Sequence, residues 1–184
     1  MAQVTWNGGS AYEMVLKAHT DAPPAAVFSL LTDLSAHLDW GGRRQRRNFR
    51  LTAMHAATAV PDGARAGTEF VSEGVIPMTK APSRDHSTVV AAEPPSVFEF
   101  HTDSVTDWPR GGRSETRWEH RYEIRRDGAG SLVTYRLRLA AATNPPLRMR
   151  APLMRTMTHR VMIPMLCRRG FDNLLKAAAQ TVAS

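Results

Sequence analysis

The sequence has one cysteine, Cys167, only three lysines and no long apolar run. A single thiol forms no internal disulfide and has no thiolate partner for a zinc site. No apolar stretch approaches the roughly 18 residues that a transmembrane helix requires, so we expect no transmembrane segment. The first residues show no basic segment followed by an apolar one, which predicts no signal peptide. These absences favour a cytoplasmic protein.

The sequence also lacks the short motifs of the common catalytic and metal sites. Its seven histidines, at positions 19, 37, 55, 86, 101, 120 and 159, show no HxH or HExxH spacing. Neither a GxSxG nucleophile elbow nor a glycine-rich phosphate loop is present. We therefore predict no metal site and no cofactor.

Positive charge is abundant, with a formal net charge of +7. The run Arg43–Arg50 contains five arginines, a residue type suited to binding phosphate, carboxylate or RNA. A solvated loop is the alternative. No aromatic residues interleave with these arginines as they do in single-strand binders, which disfavours nucleic acid. The partners that this run predicts are an acidic carrier protein or an anionic group of a ligand.

The length of 184 residues fits one domain, and neither a repeat nor a linker divides it. The segment Gly8-Gly9-Ser10 predicts a flexible tail over residues 1–10, followed by a single domain over 11–184. Nothing in the sequence distinguishes a monomer from a homodimer.

Hydrophobic periodicity predicts an α+β fold. Residues 12–19 alternate as a strand, and Pro23-Pro24 precede a helical stripe that ends at Leu34. A second short helix is predicted over residues 35–40, before Gly41-Gly42. Turn sequences then separate six further predicted strands, at residues 48–58, 67–73, 84–92, 96–105, 114–125 and 131–140. Short connections between strands favour an antiparallel sheet, here of seven strands.

The end of the chain is predicted to be helical over residues 151–183, with a kink or break at Pro164. A helix of about 20 residues is about 30 Å long. Strands of eight or nine residues span about 28 Å. The helix can therefore lie across one face of the sheet.

The segment HTDAPPAAVFSLLTDLSAHLDW, at residues 19–40, resembles the opening of the SRPBCC superfamily of START-related, helix-grip domains, which includes polyketide cyclase/dehydrase-like proteins. The segments GTEF, VVAAEPPSVFEF and GFDNLLKAAAQ are similar to the same layout. The resemblance spans residues 11–183 and implies a curved sheet wrapped around the C-terminal helix, with the space between them either packed or open as a cavity. The superfamily includes lipid carriers, hormone receptors, polyketide cyclases and co-chaperones, so the resemblance implies no single activity.

The candidate site lies on the strand predicted at residues 114–125. Alternation puts Trp118, His120 and Tyr122 on the inward face, while charged residues face solvent. Burying an unpartnered polar group costs roughly 1–3 kcal/mol, so a dry core would use aliphatic residues. Rings with polar tips favour a ligand pocket, and a filled core with bonded rings is the alternative. Further predicted wall residues are Tyr12, Phe70, Phe98, Phe100, Tyr135 and, from a methionine cluster before the last helix, Met157.

Three functions follow from these features. The first is binding or carriage of a small, largely apolar ligand such as a lipid, a polyketide or an aromatic metabolite. The second is a polyketide cyclase or aromatase in which His120 moves a proton beside Tyr122. The third is an RNA- or ribosome-binding, antitoxin-like module that depends on the Arg43–Arg50 run.

Overall fold

The computed structural model describes residues 3–6, 12–43, 50–56, 62–76, 81–109, 112–144 and 151–183. These residues form an antiparallel sheet with helices packed on one face. The strands are β1 (Gln3–Trp6), β2 (Tyr12–Thr20), β3 (Arg50–Ala56), β4 (Glu69–Ile76), β5 (Ala81–Glu93), β6 (Val97–Asp107), β7 (Arg113–Asp127) and β8 (Gly130–Thr143). Their order in the sheet is β1-β2-β8-β7-β6-β5-β4-β3. The predicted α+β class and antiparallel meander are confirmed.

The strand count differs from the prediction by one. Gln3–Trp6 pairs antiparallel with the start of β2, where the sequence predicts a flexible tail over residues 1–10. Val4 and Trp6 are half-buried and pack against the hydrophobic core, so this short segment gains enough contact to order as an edge strand. Four residues carry too little alternation to be recognised in the sequence.

Between β2 and β3 the chain forms α1 (Pro24–Thr32) and then a π-helical turn, Leu38–Arg43. Pro24 occupies the first turn of α1, as predicted. The second predicted short helix is therefore not a regular α-helix. Consecutive glycines at its end supply no side-chain contacts that would hold an α-helical turn.

The C-terminal helical region has three parts: α2 (Pro152–Met157), a π-helical segment (Thr158–Met162) and α3 (Ile163–Ala183). The Ile163 N–H donates to the Thr158 carbonyl, five residues back. This wider turn ends just before Pro164, which lacks an N–H and would clash with a regular preceding turn. The irregularity thus lies immediately before the predicted position. None of the helices in the described ranges is long and apolar enough to cross a membrane.

The helix α3 packs on the face of the sheet that carries the buried side chains. The Phe171 ring lies 6.2 Å from the Tyr135 ring, and the Thr20 hydroxyl donates to the Leu175 carbonyl at 3.2 Å. On the same face of the sheet, the Phe28 ring of α1 lies 6.4 Å from the Phe98 ring. The two helices and the sheet therefore enclose one hydrophobic core.

The opposite face of the sheet carries alternating charges, as predicted. Arg117 donates two hydrogen bonds to Asp103, at 2.7 and 2.8 Å, and Arg138 donates to Glu119 at 3.2 Å. Such exposed pairs contribute about 0–1 kcal/mol each. This face stabilises the sheet weakly and leaves the helix-covered face as the candidate site.

Candidate functional site

The rings of β7 lie on the helix-covered face. Strand register places His120 beside Phe100 of β6 and sets Tyr122 between Phe98 of β6 and Tyr135 of β8. The His120 and Phe100 rings stack at 4.4 Å, and the Tyr122 and Tyr135 rings stack at 4.5 Å. Ring stacking across three neighbouring strands gives a continuous aromatic surface.

Eight of the nine predicted ligand-binding residues share this face, and we call them the aromatic wall: Tyr12, Phe70, Phe98, Phe100, Trp118, His120, Tyr122 and Tyr135. The Phe70 ring contacts the Phe100 ring at 5.5 Å, and the Tyr12 ring contacts the Trp118 ring at 6.2 Å. Met157 is different, because it lies on α2 with 38% of its surface exposed and outside the hydrophobic core. The residue of that segment that turns inward is His159.

His120 is electrically neutral at pH 7. Burial lowers its pKa to about 3, with a smaller contribution from His101. Its Nδ1 atom lies 2.9 Å from the Tyr135 hydroxyl, so one ring nitrogen accepts or donates there. Because a general base works best with a pKa near the operating pH, this imidazole is a weak base at neutral pH.

The other titratable groups of the wall are neutral as well. Burial raises the pKa of both Tyr122 and Tyr135, and it raises the pKa of the Cys167 thiol on α3 to about 12. The Tyr135 hydroxyl also interacts with that thiol. Uncharged polar tips suit hydrogen bonding to a guest molecule better than proton transfer.

Coverage of the wall is uneven. Phe98, Tyr122 and Tyr135 are fully buried, whereas Phe100, Trp118 and His120 are only half-buried. Cys167, on the facing surface of α3, is also half-buried. The less covered side chains lie next to one another in the sheet.

A second group of polar atoms lies beside the wall, at the edge formed by β1 and β2. The Tyr12 hydroxyl, His159 Nδ1 and Arg155 Nε are buried and have no hydrogen-bond partner within the described part of the chain. The His159 ring lies 5.1 Å from Tyr12 and 5.0 Å from Trp6. Buried polar atoms without a partner are rare and call for an explanation such as bound water or a ligand.

The sequence reasoning missed a set of inward-facing hydroxyls around one carboxyl group. We call these residues the hydroxyl set: Ser72 of β4, Ser83 and Ser87 of β5, Thr102, Ser104 and Thr106 of β6, and Ser114 and Thr116 of β7. Asp85 lies among them, directly opposite Ser72 and Ser104. The Ser83 hydroxyl donates to Asp85 at 3.3 Å, and burial raises the pKa of the Asp85 carboxyl. The alternation Ser83-Arg84-Asp85-His86-Ser87 is the sequence pattern that could have revealed this set.

Two further predictions concern the Arg43–Arg50 run and the lack of a metal site. The Arg43–Arg50 run lies outside the residues whose side chains the structure describes, so its role stays a prediction. Within the described ranges, no group of three or more His, Cys, Asp and Glu side chains converges as metal ligands would.

Comparison with solved structures places this fold among known ones. A protein from Rhizobium leguminosarum aligns with a TM-score of 0.65 at 12% identity, covering 98% of this chain and 99% of its own. A protein from Rhodobacter sphaeroides aligns with a TM-score of 0.60 at 15% identity, with coverages of 98% and 99%. Ara h 8.0201 aligns with a TM-score of 0.57 at 10% identity, with coverages of 92% and 99%. At these identities the similarity concerns the fold alone.

No curated protein sequence matches the chain at a significant level. The family model described as polyketide cyclase/dehydrase and lipid transport matches residues 12–179. That range runs from the first residue of β2 into the last turns of α3 and includes the whole aromatic wall. The chain therefore belongs to the polyketide cyclase/dehydrase and lipid transport family, within the SRPBCC superfamily of helix-grip proteins.

Proposed function

We propose that this protein binds and carries a small, largely apolar ligand, such as a lipid, a polyketide or an aromatic metabolite, between the sheet and α3. The family description, which includes lipid transport, supports this function. A chain whose single cysteine is Cys167 fits a cytoplasmic setting.

The environment of His120 carries the proposal. Its ring stacks on Phe100 at 4.4 Å and lies 2.9 Å from the Tyr135 hydroxyl, and this burial lowers its pKa to about 3. Yet protein atoms do not fully cover the ring, nor do they fully cover its neighbours Phe100 and Trp118. An enclosed space beneath α3 accounts for both properties, because such a space excludes bulk water while leaving its lining uncovered. Aromatic walls with a few polar tips are typical of ligand sites.

The unpartnered polar atoms beside the wall support the same function. Leaving a buried hydroxyl or ring nitrogen without a partner costs roughly 1–3 kcal/mol. Tyr12 and His159 both carry such an atom. A guest molecule or its accompanying water would supply the missing hydrogen bonds.

Cyclase or aromatase chemistry is the second candidate, since the family description includes it. The interior favours a specific form of that chemistry. A neutral His120, hydrogen-bonded to Tyr135 at 2.9 Å, would orient a reactive chain rather than remove its proton. Turnover of a model poly-β-ketone that falls with His120→Gln and shows no pKa near 6.5 in its pH profile would favour this candidate over carriage alone.

Binding of the uncharged fluorescent probe N-phenyl-1-naphthylamine tests the proposal. The parent protein should enhance the probe's fluorescence, and probe at 100 times its dissociation constant should stabilise the fold by about 2.7 kcal/mol. Cys167→Trp would place an indole in the space opposite the wall, so it should stay folded and lose the probe. Cys167→Ser is the matched control, and it should keep probe binding.

The opposite pattern would point to a filled interior. In that case the parent protein would not bind the probe, and Cys167→Trp would destabilise the fold by about 1–3 kcal/mol or more through overpacking. Circular dichroism and urea unfolding of both variants separate loss of binding from loss of structure.

A further inference from the structure

The helix-covered face of the sheet has two chemically different halves. One half is the aromatic wall, and the other is the hydroxyl set with Asp85. Six members of the hydroxyl set are buried, namely Ser72, Ser83, Ser87, Thr102, Thr106 and Ser114. Aliphatic residues at these positions would make a more stable dry core, because hydrogen bonds between buried polar groups do little more than compensate for the desolvation of those groups.

Some hydroxyls of this polar half form hydrogen bonds with one another. The Ser87 and Thr102 hydroxyls share a hydrogen bond at 2.8 Å, and those of Ser83 and Ser104 share one at 3.2 Å. Ser72, which is only 8% exposed, lies directly across the strand pair from Asp85. The Asp85 carboxyl group can accept more hydrogen bonds than the Ser83 and Ser104 hydroxyls donate to it.

Asp85 has no cationic partner in the described part of the chain. The hydrogen-bond donors that reach it are the Ser83 and Ser104 hydroxyls. Asp103 lies one register position away on the neighbouring strand, and therefore on the outer face, where it receives two hydrogen bonds from Arg117. Within the described ranges, the outer carboxylate is thus paired with an arginine, and the groups that reach the inner one are hydroxyls.

The two halves adjoin along β4 and β7. The Trp118 indole N–H donates to the Thr116 hydroxyl at 2.9 Å, which joins the wall to the hydroxyl set. Phe70 lies diagonally across from Asp85, since Ser72 is the residue opposite the carboxyl group. Diagonal neighbours in a sheet are about 7–8 Å apart, within the length of a small aromatic molecule. The Phe70 ring is buried and contacts the half-buried Phe100 ring at 5.5 Å, so a guest whose apolar body lies on Phe100 would extend its end toward Asp85.

We propose that Asp85, with Ser72 and Ser104, binds the polar end of the ligand, and that this end is a hydrogen-bond donor, either an amine or a hydroxyl, attached to an apolar body held by the aromatic wall. The assignment rests on the proposed function and specifies the ligand class for that same site. A carboxylate end is disfavoured, because it would meet a buried acidic group.

Four naphthalene probes with different end groups test this assignment by displacing N-phenyl-1-naphthylamine. They are 2-naphthylmethylamine, 2-naphthylmethanol, 2-naphthoate and 2-methylnaphthalene. The net charge of +7 favours anions through non-specific attraction. The assignment predicts the reverse, with the amine or the alcohol binding about tenfold tighter than 2-methylnaphthalene and 2-naphthoate binding most weakly. If the amine binds more tightly than the alcohol, Asp85 is ionised. If the alcohol binds more tightly than the amine, Asp85 is protonated.

Variants show whether Asp85 causes this preference. Asp85→Asn should weaken the preferred probe about tenfold and leave 2-methylnaphthalene unchanged. Ser72→Ala should produce a smaller loss in the same direction. Asp103→Asn, on the outer face, is the matched control and should change the affinity for neither probe. Removal of a desolvated carboxyl should also raise the unfolding midpoint of Asp85→Asn at pH 7, so the variant is expected to fold.

The possible failures are distinguishable. If 2-naphthoate binds more tightly than the amine and the alcohol, or if Asp85→Asn and Ser72→Ala leave every affinity unchanged, the assignment of Asp85 is wrong while ligand binding stands. If neither N-phenyl-1-naphthylamine nor 2-methylnaphthalene binds the parent protein, the proposed function itself fails.

Discussion

Mild acid should destabilise this protein through two buried histidines. Burial lowers the pKa of His37 from 6.5 to about 4 and that of His120 from 6.5 to about 3. His37 places Nε2 2.7 Å from the Leu31 carbonyl, so the neutral ring donates there. Each histidine binds a proton more weakly in the folded state than in the unfolded state. The contribution of each histidine to the stability of the folded state is therefore complete above pH 6.5. It is lost as the pH falls toward the pKa of the folded state.

The size of the effect follows from linkage. One pKa unit corresponds to 1.36 kcal/mol, so between pH 7 and pH 5 each histidine removes roughly 2 kcal/mol from the free energy of unfolding. Together they remove about 4 kcal/mol, a large share of the 5–15 kcal/mol typical of a folded domain. Asp85 acts in the opposite sense, because its raised pKa favours the folded state as the pH falls. Asp103 and Glu123 have lowered pKa values and lose their contribution below this pH window.

Urea unfolding at pH 7 and pH 5 measures this loss in the parent protein, in His120→Gln and in His86→Gln. The difference between the two pH values should shrink by about 2 kcal/mol in His120→Gln, since the contribution of Asp85 cancels in the comparison. His86, whose side chain is 54% exposed, serves as the control for the replacement of a histidine by glutamine. An unaltered pH difference in His120→Gln would mean that this ring titrates as it does in water, and the inference of an enclosed space would fail.

Four further predictions concern packing and reactivity. Tyr135→Phe should lower the free energy of unfolding by about 1 kcal/mol in urea titrations, because His120 loses its hydrogen-bond partner, and an unchanged value would contradict that bond. Gly130→Ala should cost about 3 kcal/mol or more, since the added Cβ would collide with the backbone after β2. Gly128→Asn, at a φ of +59° in open space, should be nearly neutral by the same assay. Cys167, with its pKa raised to about 12, should resist Ellman's reagent until urea unfolds the protein, and rapid labelling of the native state would argue against its burial.

Alternation and turn residues were sufficient to predict most of the fold. On β7 every second residue is charged, so the residues between them, including Trp118, His120 and Tyr122, had to face inward. The hydroxyl set was missed for a physical reason. Alternating Ser, Asp and Thr resembles a solvent-facing strand, and Pro82 concealed the true start of β5 at Ala81. The role of Met157 stays a prediction, and the structure adds that the π-helical turn after it brings His159, rather than the methionine, toward the core.

The pairing of β2 with β8 has a consequence for synthesis on the ribosome. β2 is paired along its full length, from Tyr12 with Leu139 to Thr20 with Ser131, although these strands lie at opposite ends of the sheet-forming sequence. The edge of this early strand that pairs with β8 must stay unpaired while more than one hundred residues are translated, as the spacing of Thr20 and Ser131 requires. Contacts of this sequence separation slow folding and leave strand edges open to association. Nascent chains arrested before β8 emerges should therefore be the ones that chaperones retain.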